Sequence, residues 1–190
     1  MPTPTSSAIR FASHIKRYAA TLLAALLVGL APAGSLSSQT VPQRASISYG
    51  TGQLELQMLD LINRDRANQI YFSETKGRAP ALQWDDRLAA VARMHSEEMA
   101  RKGYFSHQGA DGSSPAHRVS LAGIQWRSTG ENIANCRGVS EAEFLFMNEP
   151  KFQQNHRWNI LNVNYTHVGV GVARAPDGSL YITQEFAQLR

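Results

Sequence analysis

One cysteine, Cys136, stands in a chain of 190 residues. An internal disulfide is therefore excluded, and so are zinc sites built from paired CxxC turns. Cys136 reads most simply as a small buried apolar residue. The chain also lacks an HExxH helix, a glycine-rich phosphate loop and a nucleophile elbow, so three common catalytic signatures are missing. Internal repeats are absent as well. Positive charge is scarcer than the formal +4 suggests, because residues 1–33 hold Arg10, Lys16 and Arg17 and no acidic residue. The remainder is nearly neutral, which excludes the basic patch of a nucleic-acid binder.

What is present begins with that basic start. Arg10, Lys16 and Arg17 precede or open the apolar run "YAATLLAALLVGLAPA", which ends small-x-small at Ala33. This is the pattern of a secretory signal over residues 1–33, with an uncleaved membrane anchor as the alternative. Residues 34–52, "GSLSSQTVPQRASISYGTG", are rich in Ser, Gly and Gln without a helical or strand period, and read as a flexible linker. Residues 53–190 then make one domain, long enough to bury a core without covalent staples.

Helical periodicity dominates the first part of that domain. Leu54, Met58, Leu61 and Ile62 share one stripe, and Leu88, Val91, Ala92, His95 and Met99 share another. Asp85 and Asp86 favour the start of the second helix, and Gly103 stops it. Ser114 and Pro115 open a short helix ending near Gly123. A capping box from Ser140 to Glu143 predicts a fourth helix through Phe144, Leu145 and Met147. Beyond His156 the period becomes two: Val168, Val170 and Val172 alternate with glycines, "APDGS" marks a turn, and "LYITQEFAQ" alternates again. The reading is an α+β domain with helices on a small, mainly antiparallel sheet and a C-terminal β-hairpin.

Polar residues gather where these elements end. In "MNEPKFQQNHRWNIL", Pro150 forces a helix stop at Glu149, where the dipole repels a carboxylate by roughly 0.3–1 kcal/mol. A nearby cation or imidazole would offset that cost, and His156 follows. "GYFSHQGADGSSP" carries His107 in a turn-rich loop. "STGENIAN" carries Glu131 after Gly130, a residue free to take backbone angles that others avoid. Two His and two Glu suit a divalent cation, or acid–base chemistry in which a carboxylate raises the pKa of its histidine. Spacing alone leaves both open.

These stretches, with "LDLINRDRA", "LQWDDRLAAVARMHSEEMA", "FMNEP" and "YTHVGVGVA" in order over about residues 54–188, resemble the CAP superfamily. That superfamily comprises the cysteine-rich secretory, antigen 5 and pathogenesis-related proteins with their SCP-like extracellular domain, and the bacterial secreted branch fits best. The resemblance implies an α-β-α sandwich with a central antiparallel sheet and a cleft carrying two His and two Glu. By motif these are His107, Glu131, Glu149 and His156. It implies His107 and His156 as ligands of a divalent cation, zinc foremost, with Glu131 and Glu149 in support. "PKFQQN" separates Glu149 from His156, a departure from many bacterial relatives.

Three functions compete at this point. The first is a secreted binding module for a lipid, sterol or polysaccharide-type ligand. The second is a metal-dependent or His/Glu hydrolase of peptide, lipid or cell-wall material, which would have to activate water because no convincing nucleophile adjoins the four residues. The third is a structural or interaction domain; fold alone cannot choose. Blander roles are expected elsewhere: His95 as a core histidine bonded to backbone, His117 exposed, His167 on the glycine face of its strand, and Glu185 paired with an arginine across the hairpin. Trp84, Trp126 and Trp158 are packing residues or a stacking surface. Arg157 either pairs with a carboxylate or binds an anion.

Overall fold

The computed structural model describes residues 9–10 and 44–190, with side chains from residue 51 onward. Apart from Ile9–Arg10, the stretch read as a signal, residues 1–33, lies outside the described residues, as do residues 34–43.

Strand β1 (Ile9–Arg10) is followed by α1 (Arg44–Ala67), a 3-10 turn (Gln69–Tyr71) and α2 (Phe72–Thr75). Then come β2 (Gln83–Trp84), α3 (Asp86–Lys102), α4 (Pro115–Leu121) and β3 (Trp126–Cys136). The chain finishes with α5 (Val139–Met147), α6 (His156–Leu161), β4 (His167–Arg174) and β5 (Leu180–Leu189). Helix α1 starts at Arg44, so it overlaps residues 44–52 of the stretch read as a linker.

The helix ends follow local chemistry. At the start of α3 the Asp85 carboxylate accepts from the backbone N–H groups of Arg87 and Leu88, and Gly103 closes the helix in the left-handed region at φ 68°. The Ser114 hydroxyl accepts from the His117 N–H to open α4. The expected capping box of α5 is displaced. Gly138 caps the helix and the Glu141 carboxylate reaches back to the Arg137 N–H at 2.8 Å. Ser140 and Glu143 therefore sit inside the helix, and Glu143 turns into the core.

Among the described residues the sheet has five strands in the order β1-β3-β5-β4-β2. Its centre is antiparallel, β3 against β5 and β5 against β4, while the two-residue edge strands pair in parallel. Helices cover both faces, as the α-β-α expectation required. On one face Met58 and Ile62 of α1 and Phe146 of α5 pack with Ile160 of α6 onto Val168, Val170, Ile182 and Phe186. Cys136 belongs to this layer and is a free buried thiol. On the other face Leu88 and Val91 of α3 and Val119 of α4 pack with Ile124 and Ala187.

The second face is closed by a glycine seam. A Cβ built on Gly169 would lie 2.0 Å from the Ala89 nitrogen, and one on Gly171 would lie 2.1 Å from the Arg93 nitrogen. The backbone of α3 thus rests directly on β4, so the glycines in "HVGVGVAR" are there for space. Replacing Gly171 by Ala should cost about 1–3 kcal/mol or more, because the clash is with backbone and neither element can yield cheaply. Gly52→Ala, where a Cβ meets nothing within 4 Å inside α1, should be neutral or stabilising. Denaturant midpoints of the two variants check the contrast.

Candidate functional site

Glu131 stands on β3 opposite Glu185 of β5, on the face covered by α3. Its carboxylate is buried and shared. Oε1 accepts from His107 Nδ1 at 2.6 Å and Oε2 from the Arg118 guanidinium at 2.6 Å. Burial pushes this carboxyl's pKa up, but the His107 bond and the Arg118 charge outweigh it and hold the pKa below the ordinary value. Glu185 has the opposite fate. It is fully buried, its two oxygens have no hydrogen-bond partner among the described residues by geometry, and its nearest cation is Arg118 at 3.9 Å. Burial first, then the neighbouring Glu131 charge, drive its pKa well above normal. Two carboxylates side by side in an apolar layer cannot both ionise, so Glu185 keeps its proton while Glu131 carries the charge. The expected pairing of Glu185 with an arginine across the hairpin is thus replaced by a contact with α4.

Arg118 ties the corner together. The same guanidinium donates to the His107 and Ser113 carbonyls, so it holds the loop that presents His107 as well as the carboxylate that orients it. Gly130 before Glu131 has no positive φ; what it supplies is room. A Cβ there would meet the Tyr165 hydroxyl at 2.5 Å and the Asn159 amide oxygen at 2.8 Å.

The second pair comes from the other face. Glu149 follows the end of α5, and its Oε2 accepts the backbone N–H of His156 at 2.8 Å while Oε1 accepts from the ring Nδ1 at 2.7 Å. Burial raises the Glu149 pKa, yet the bonds to His156 prevail and keep it low. The wrong-signed helix end is offset by the open first turn of α6, whose unpaired N–H groups attract a carboxylate. The Asn155 side chain caps α6 through the Trp158 N–H.

The two rings meet, stacked with centroids 6.3 Å apart and planes inclined by 24°. Phe146 backs His156 at 4.7 Å. Because carboxylates only accept, each ring donates from Nδ1, which in the neutral tautomer places the lone pair on Nε2. The Nε2 of His156 is buried and unpartnered among the described residues. A carboxylate-oriented imidazole with an open Nε2 is the arrangement that metal-binding histidines show, so the donor set fits a cation. Among the described residues no three His, Cys, Asp or Glu side chains converge as a ligand set. A cation here would have two imidazole ligands and would complete its shell with water or ligand.

Beneath α6 runs a polar network that sequence reasoning missed. Asn132 donates to the His156 carbonyl and to Gln184 Oε1, Asn159 donates to Asn132, and Gln184 donates to Glu143. Asn132, Gln184 and Glu143 are buried, and only the alternation of β3 and β5 hinted that Asn132 and Gln184 face inward. His95 is the core histidine expected, with Nε2 donating to the Ser106 carbonyl at 2.9 Å. His117 is exposed, and His167 bonds Thr166 and takes no part in the cleft. Arg157 pairs with Glu74 through two hydrogen bonds at 2.6 and 2.8 Å. The three tryptophans make separate contacts: Trp84 with Asp86, Trp126 with Ser120, Trp158 with Tyr165. A cavity of about 1250 Å³ along the outer side of α3 is lined by neither His107 nor His156. The chemistry of the paired rings, not cavity size, locates the site.

The profile of the cysteine-rich secretory protein family, CAP, matches residues 59–186. The chain belongs to the CAP family. YkwD of Bacillus subtilis is 37% identical over 133 residues, covering 70% of this chain and 46% of YkwD. The membrane protein YlbC of the same organism is 36% identical over 134 residues, covering 70% of this chain and 34% of YlbC. This CAP chain thus spans less than half the length of both relatives. A crystal structure of an extracellular SCP-domain protein from Bacillus anthracis superposes with a TM-score of 0.62 at 28% identity, covering 80% of this chain and 45% of that one. No helix among the described residues of this CAP protein is long and apolar enough to cross a membrane.

The network beneath α6 has a measurable pH signature. Burial pushes the Glu143 pKa up to about 8 from an ordinary 4.5. A carboxyl whose folded pKa is raised binds its proton more tightly when folded, so its contribution is present below the unfolded pKa and is lost as pH rises through the folded one. Stability should therefore fall between pH 4.5 and about 8, and Glu143→Gln should flatten that decline. Denaturant midpoints across this range check it.

Proposed function

We propose that this CAP domain is a secreted binding module whose His107–His156 pair holds a divalent cation, zinc foremost, beside a lipid, sterol or glycan-type ligand. The observation that carries the reading is the pair of facing imidazoles, each held at Nδ1 by its own glutamate. Glu131 and Glu149 fix tautomer and ring orientation, and Arg118 keeps Glu131 ionised. When bound, zinc would act as a Lewis acid and acidify a coordinated water. The chain's own part is to orient two lone pairs and leave the remaining coordination positions open. Two protein ligands make a weaker site than the three or four of dedicated zinc centres, which suits a ligand that completes the shell.

Calorimetric titration with Zn²⁺ at neutral pH should show saturable heat near one equivalent, lost in the His107→Ala/His156→Ala double variant. Glu149→Gln should weaken binding about 10–100-fold through the lost ring orientation. Absence of saturable heat in the unmodified protein would sink the cation site. Turnover of peptide, lipid or cell-wall material that Glu131→Gln abolishes would favour the hydrolase reading instead.

A further inference from the structure

Helix α6 has a second face. His156 points into the cleft, whereas Trp158, two residues on, points outward and is 39% exposed. Beside it lies a groove of about 330 Å³ lined by Pro150, Phe152, Asn155, Trp158, Leu161 and Asn162, with Val163, Asn164, Glu74 and Arg157 completing it. Three of the exposed large apolar side chains of the protein, Phe152, Trp158 and Val163, are gathered here. Phe152 is 72% exposed and sits at φ 59°, a conformation rarely taken by a bulky residue. The loop between α5 and α6 therefore holds an aromatic ring out in water at a conformational cost, where packing gives it nothing back.

The polar groups of the groove say what would cover these rings. Three of its ten lining residues are asparagines, and its only charged groups are Glu74 and Arg157, which neutralise each other. An anionic headgroup or a nucleic acid would find no uncompensated cation. A long acyl chain would find only about 330 Å³, too little to bury it. Among the described residues no hydrogen bond engages the Asn164 side chain or the Trp158 indole N–H, so a donor–acceptor amide and a donor stand open beside two aromatic faces. A pyranose fits this combination: its C–H face is apolar and complements the negative face of an aromatic ring, and its edge is a row of hydroxyls. The volume is at the small end of ligand pockets, roughly 300–1,000 Å³, which suits a short stretch of a longer chain.

We propose that this groove binds a neutral saccharide, with Trp158 and Phe152 as stacking platforms and Asn164 reading hydroxyls. The proposal deepens the binding-module reading by naming one ligand class and its place, and it needs no cation. The two fail separately, because neither His107 nor His156 lines the groove.

The chain has three tryptophans, so a ¹⁵N-labelled sample gives three indole N–H signals. Chitotriose, cellotriose and maltotriose are titrated into the full chain in the presence of EDTA. At least one of them should shift the Trp158 signal while those of Trp84 and Trp126 stay in place. Trp158→Ala should abolish saturable binding measured by calorimetry, Trp158→Phe should keep part of it, and Asn164→Ala, an exposed change with no fold to disturb, should weaken it about fivefold. Zinc binding in all three variants should match the unmodified protein. Three sugars that leave the Trp158 signal unmoved, or binding that survives Trp158→Ala, would overturn the proposal. So would Trp158-dependent binding to phosphatidylglycerol vesicles without any to sugars, which would assign the face to a lipid surface.

Discussion

A single buried negative charge organises one half of this molecule. An isolated carboxylate taken out of water costs several kcal/mol unless it is paired and hydrogen-bonded, and Glu131 meets that condition by drawing in three elements. His107 comes from the loop after α3, Arg118 from α4, and Glu185 contributes by remaining protonated beside it on the adjacent strand. Remove the charge and Arg118 loses its reason to turn inward, the loop loses Arg118, and His107 loses its orientation. The glycine seam of β4 makes this possible from below, because only a helix lying directly on the sheet brings the end of α3 and its loop close enough to β3.

The other half is organised by geometry at a chain reversal. Glu149 lies just past the end of one helix and faces the first turn of another, so its two oxygens serve the backbone N–H and the ring of the same histidine. The six residues between them form a loop with two outcomes: inside, a histidine locked by its carboxylate; outside, an exposed Phe152 beside Trp158. Arg157 anchors this loop from within by donating to Glu74 and to the Met147 carbonyl. A cleft and a groove thus share one short helix, and the asparagine and glutamine amides below it keep that helix in register with β3 and β5.

Much of this was legible along the chain, for identifiable reasons. Helix α3 has an aspartate cap, a clean apolar stripe and a glycine stop, and all three act within a turn or two of the residues that carry them. The hairpin of β4 and β5 has a period of two around a strong turn. The α5 start was misread because Ser140 and Glu143 satisfy a capping box on paper; Glu141, one turn from Gly138, does that work, and Glu143 is drawn into the core by Gln184. Gly130 in its local sequence suggests an unusual backbone angle, whereas it is small because Tyr165 and Asn159 crowd its α-carbon.

The sequence by itself determined α1, α3, α4, α5, the hairpin and the lack of an internal disulfide, since caps, periods and short motifs are all written within a few neighbouring positions, and its motifs pointed to His107, Glu131, Glu149 and His156. Tertiary structure alone decided who accompanies them. Arg118 as the cation of Glu131, Glu185 as its protonated neighbour, and the chain of Asn132, Gln184 and Glu143 beneath α6 join residues separated by 13 to 54 positions. Strand register and the charge balance of a buried layer choose such partners, and neither is expressed in any local stretch of the chain.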